Sequence, residues 1–168
     1  AGANNTFINA ANIDRVFEVH PGATLNLVAV TVRNGTTTAD GGGIFNQGTL
    51  NVTETQIEAN AARSGGAIYN AGGTLTINRS TLAANDASVN GGAVANASGS
   101  VSIINSTIST NQATVNGGGI WSAGSISLVS TTITANTADA LGNGVFNTDA
   151  GSLSLHNTLL AANPVVHS

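Results

Sequence analysis

The chain has no cysteine and no lysine among its 168 residues, and only 7% of them are charged. Without cysteine there is no disulfide, no thiolate nucleophile and no Cys-ligated metal. Its four basic residues, Arg15, Arg33, Arg63 and Arg79, are outnumbered by eight carboxylates, giving a formal net charge of -4. That balance builds no basic patch and argues against a nucleic-acid surface. No run of 18 apolar residues is present, so no helical membrane span is written in the sequence. The 21 glycines keep no three-residue period, which excludes collagen. Helical spacing is also missing. With 41% hydrophobic residues recurring at regular intervals, the chain is not disordered either. The opening "AGANNTF" has no initiator Met and no signal peptide, and it reads as a processed product or an excised segment.

What the sequence does have is a repeat. "TLNL", "TLNV", "TLTI", "SVSI", "SISL" and "SLSL" place Leu25, Leu50, Leu75, Val101, Ile126 and Leu153 at intervals of 25, 25, 26, 25 and 27. A second apolar column, Val32, Ile57, Leu82, Ile108, Ile133 and Leu160, follows seven residues later each time. A third contains Ile44, Ile68, Val94, Ile120 and Val145. Period-two alternation around these positions sends them to one face, and a fixed period near 25 residues marks a solenoid. The spacing therefore predicts a parallel β-solenoid with three strands per coil and six to seven coils. With rungs ~4.8 Å apart, it would rise ~30 Å. The whole chain, 1–168, reads as one domain. Residues 1–22 form a degenerate first coil, with Val19 in the Ile44 column and Phe7 in the Val32 column. Residues 152–168 form an incomplete last coil.

Asparagine keeps the same period. Asn60, Asn85, Asn111, Asn136 and Asn163 follow the second strand; Asn46, Asn70, Asn96 and Asn147 follow the third, with Ser122 in the remaining place. Stacked amides can bond to one another along the axis and to corner backbone, so these are expected to be structural ladders. The glycine pairs at 41–42, 65–66, 91–92 and 117–118 precede no helix. They read as corners rather than a phosphate cradle. Acceptor patterns for glycosylation are frequent in a chain this rich in Asn, Ser and Thr. Asn51 and Asn105 are the better candidates, because Asn96 falls in a ladder.

Two outward columns could bind something. Phe45, Tyr69, Trp121 and Phe146 form an aromatic stripe with Ala95 in the middle place, suited to sugar stacking or lateral contact with another protomer. Paired columns of Thr, Ser and Asn lie on the first strand. Only Thr74-Leu75-Thr76 there is a T-x-T of the kind ice-binding solenoids array. The carboxylates do not pair across a cleft as glycoside hydrolysis requires; Glu54 instead faces Arg79 one coil on. The three histidines, His20, His156 and His167, are too scattered for a metal site. No His–carboxylate relay accompanies any Ser or Thr. No catalytic residue, metal site or cofactor is expected.

The phrase "GGGIFNQGTLNVTETQIEANAA" resembles the GG[AG]I and F-x-x-N repeats of bacterial right-handed parallel β-helix surface and secreted proteins, polymorphic outer-membrane proteins among them. "RVFEVHPGATLNLVAVTVRNG" is similar to the lead-in coil of the large secreted members. The resemblance implies a right-handed solenoid and a bacterial protein at the cell surface or outside it. The fold also serves pectin-degrading lyases, whose catalytic Asp and Arg or Lys clusters have no counterpart here. Open coil faces point to copies of the chain as partners, stacked head to tail into a structural fibre. The alternatives are an adhesin or glycan-binding module working through the aromatic stripe, and an ice-binding solenoid.

Overall fold

The computed structural model describes residues 6–163. Every strand pairing in it is parallel, and the chain winds as a right-handed β-solenoid with the apolar columns inside. Second strands form a seven-stranded sheet running from Phe7–Asn9 to Leu159–Ala161. Third and first strands share a ten-stranded sheet with its side branches. In two coils they are one bent strand, Ile68–Asn78 and Val94–Ile104. A further sheet of four two-residue strands, Ala61–Ala62, Asp86–Ala87, Gln112–Ala113 and Thr137–Ala138, was not visible in the apolar pattern. Four of the coils thus have one short strand more than the three expected. Two residues are too few to show alternation.

In the middle coils the inward residues are sealed. Ile44, Leu50, Ile57, Ile68, Leu75, Leu82, Val94, Ile108, Ile120 and Ile133 have no exposed surface, and Val101 and Ile126 almost none. Burying a side chain of this size contributes roughly 1.5–3 kcal/mol. The pattern also places Leu153 and Leu160 in the core, but they are 37% and 43% exposed, and Leu25 and Val145 are only half-buried. These four point inward in register but lie in or next to the outermost rungs, where a neighbour on one side is missing. Alternation sets direction, and burial needs a rung above as well as below.

The first coil corrects two register expectations. Phe7 pairs with Thr31, and it is Ile8 that aligns with Val32. A one-residue slip moves a side chain to the other face, so Phe7 is exposed under the Arg33 guanidinium, 4.4 Å from its ring centroid. In the third strand Phe17 aligns with Ile44, and Val19 aligns with Asn46. That is a slip of two, which preserves the inward face.

Corners are made by left-handed residues. After each first strand comes Ala29, Glu54, Arg79, Asn105, Ser130 or Asn157, all at φ between 47° and 54°. The glycine pair divides two requirements. Gly65 has φ +64°, where L residues are strained, whereas a Cβ on Gly66 would lie 2.4 Å from the carbonyl oxygen of Gly92 in the next coil.

Candidate functional site

Four columns of side chains and the coil faces at the two ends are the places where this solenoid could act. The first column is the corner ladder. Asn85 donates its backbone N–H (3.0 Å) and its Nδ2 (2.9 Å) to Oδ1 of Asn111; the same Nδ2 serves the carbonyls of Ile57 and Ala83. Asn60, Asn111 and Asn136 repeat the arrangement, each donating to the Asn of the following coil, so the column runs unbroken from Asn60 to Asn163. These amides stabilise corners whose preceding residues, such as Ala84 and Thr110, hold left-handed dihedrals.

The third-strand ladder has the same direction. Asn46 donates to Asn70 (2.7 Å), Asn70 to Asn96 (3.0 Å) and Asn96 to Ser122 Oγ (3.2 Å). There it stops. Ser122 has one proton and donates it to the carbonyl of Gly124, leaving Asn147 Oδ1 buried without a donor. Asn147 turns its Nδ2 to the carbonyls of Thr148 and Gly151.

A hydroxyl column escaped sequence reasoning. Thr55 N–H donates to Ser80 Oγ and Ser80 N–H to Ser106 Oγ, both at 3.1 Å, and each hydroxyl passes its proton to a carbonyl two residues back. Thr131 and Thr158 continue the position, donating to Val129 and His156. The signal was present, since these residues keep the 25-residue spacing. It was lost among the many other Ser and Thr residues.

The aromatic stripe is one stacked pair and, beyond Ala95, two rings on adjacent rungs, rather than one platform. Phe45 and Tyr69 stack with centroids 5.5 Å apart and planes 5° from parallel, and the Arg15 guanidinium sits 5.0 Å from the Phe45 centroid. Arg15 is itself fixed by Glu18 and by the carbonyls of Asp40 and Gly41. Beside Tyr69, Asp40 holds Arg63 through two short hydrogen bonds, which raise the already high Arg63 pKa. Burial, and then the Asp40 charge, push the Tyr69 hydroxyl above its ordinary value, so it stays a neutral donor. Ala95 follows, fully buried although it points outward between Tyr69 and Trp121. Trp121 and Phe146 are partners on adjacent rungs and half-buried.

Other singled-out residues lie apart. Thr24, Thr49, Thr74, Ser100, Ser125 and Ser152 do align as one outward column on the first strands. Glu54 accepts from Arg79 at 2.9 Å, both half-exposed, a surface pair worth at most about 1 kcal/mol. Asn51 donates to Asn26 at 2.8 Å and is half-buried; Asn105 is exposed at a corner. Among the described residues, no three His, Asp or Glu side chains group as metal ligands. His167 lies outside the described residues.

One family model matches the chain, the Chlamydia polymorphic membrane protein repeat, over residues 105–123. That stretch holds one second strand, Asn111 of the corner ladder, the glycine corner and the strand bearing Trp121. The match thus covers part of one coil. No curated protein and no solved structure gives a significant match.

Proposed function

We propose that the chain is a non-enzymatic, extracellular structural segment that stacks end to end with copies of itself into a β-solenoid fibre. The observation that supports this is the last coil. Its inward residues Leu153, Leu155 and Leu160 are 37%, 49% and 43% exposed, and Ser152–His156 and Leu159–Ala161 are the outermost strands of their sheets. At the other end Ile8, Phe17, Leu25 and Leu27 occupy the same four columns as Leu160, Val145, Leu153 and Leu155. Head-to-tail stacking would continue each column across the joint and pair two open edges. Such a contact is heterologous and does not close, so it repeats.

Negative-stain electron microscopy and sedimentation at rising concentration test this reading. Uniform thin fibres are expected. Leu160→Asp should abolish them and leave the β-type circular dichroism intact, because only the outermost coil is altered. Monodisperse short rods at every concentration would overturn the proposal.

A second reading, a glycan-binding surface module, is favoured by Trp121 and Phe146, which present half-exposed rings that stack on no other ring among the described residues. Trp121→Ala should then abolish binding on a glycan array without changing the fold.

A further inference from the structure

The sequence contains four Asn–Gly steps, at Asn34, Asn90, Asn116 and Asn143. Each could in principle close a succinimide by attack of the glycine nitrogen on the asparagine side-chain amide. The fold treats them differently. Gly35 N–H donates to Asn60 Oδ1 at 2.8 Å, Gly91 N–H to the Asn116 carbonyl at 3.0 Å and Gly117 N–H to the Leu141 carbonyl at 2.9 Å. In those three coils the attacking nitrogen is pinned to the following coil. Nothing among the described residues accepts from the Gly144 N–H.

The amide under attack differs as well. Asn90 Oδ1 and Asn116 Oδ1 are buried with no hydrogen-bond partner. Asn34 uses its side chain to donate to Asn9. Asn143 Oδ1 accepts the backbone N–H of Ala138 at 2.6 Å. Negative charge develops on this oxygen as the nitrogen adds to Cγ, and a fixed N–H donor is already aimed at it. The last Asn–Gly step therefore combines a nucleophile that has no acceptor among the described residues and a stabilised oxyanion, and the other three have neither.

We propose that Asn143–Gly144 is a spontaneous modification site, at which the folded chain deamidates selectively. Gly144 N bonds to Asn143 Cγ and its proton passes to a solvent base. The Cγ–Nδ2 bond breaks, and the nitrogen leaves as ammonia after taking a proton from water. Water then opens the succinimide to isoaspartate or aspartate, so only water is consumed. Isoaspartate adds a methylene to the main chain and a negative charge, displacing the Asn143 carbonyl that accepts from Gly119 at 3.0 Å. The effect is confined to the edge coil.

The test is peptide mapping by mass spectrometry after incubating the full chain at mildly alkaline pH, dilute enough to stay unassembled. Residue 143 should gain the mass of one deamidation at least about tenfold faster than Asn34, Asn90 or Asn116, the factor that one hydrogen bond's free energy supplies. In denaturant the four rates should converge. Gly144→Ala should slow the reaction. Since its Cβ would lie 3.1 Å from Asn163 Nδ2, Asn143→Gln serves as a second variant, whose larger ring closes far more slowly. Equal rates at all four sites in the folded chain, or a faster rate at any of the other three, would overturn the proposal. So would an Asn143 that reacts only after denaturation. None of these outcomes depends on whether fibres form.

Discussion

The corner ladder and the third-strand ladder run up the same solenoid with the same rung spacing, and both send their amide protons toward later coils. One is unbroken from Asn60 to Asn163; the other ends at Ser122. The corner amides relieve left-handed backbone at residues such as Ala59, Ala84 and Thr110, where an unpaired corner N–H would be buried. The third-strand amides lie beside a bend whose geometry glycine already permits, as at Gly72 with φ +95°. Where the backbone itself needs the amide, the column is complete. In the third-strand column a serine stands at position 122, and one buried oxygen, Asn147 Oδ1, is left unpaired.

The comparison can be broken most severely at Asn111. Asn111→Ala removes the acceptor for two Asn85 donors and the donor for the carbonyls of Leu82 and Ser109. The expected loss is about 3 kcal/mol in urea unfolding, from several buried groups orphaned together. A loss below about 1 kcal/mol would mean the corner does not depend on its ladder.

It can be sharpened at Ser122. Ser122→Asn should give Asn147 Oδ1 a donor while keeping an acceptor for Asn96, raising stability by about 1 kcal/mol. A destabilised variant would show that the fully buried slot is too small for the amide. The smallest effect is expected outside the core. Asn51→Ala breaks a solvent-facing pair with Asn26 and should shift stability by no more than about 0.5 kcal/mol.

The same contrast explains what was legible in the sequence. Leu50, Ile57 and Ile68 could be placed because each has an apolar neighbour one period away, and the structure stacks those neighbours in register. Phe7 and Val19 could not, because the first coil breaks the period and its corner carries two left-handed residues, Ala11 and Asn12. A one-residue difference there is invisible to spacing and decisive for facing. The exposure of Leu153 and Leu160 was hidden for another reason. Their own residues say inward, and only the neighbouring coil decides whether inward means buried. For the aromatic column, spacing gave the alignment of Phe45 with Tyr69 but not that their rings occupy each other. The break at Ser122 was visible as a letter, but its effect depends on where one hydroxyl proton points.

The forward direction of both ladders also gives the two ends of any coil different chemistry. Asn60 offers its protons to Asn85, which lies later in the chain, and Asn85 to Asn111 in turn. Each corner N–H finds its acceptor in the coil that follows, while the side-chain Nδ2 also reaches back, as from Asn85 to the Ile57 carbonyl. The solenoid is thus polar along its axis, every ladder rung donating its backbone N–H forward and accepting from behind.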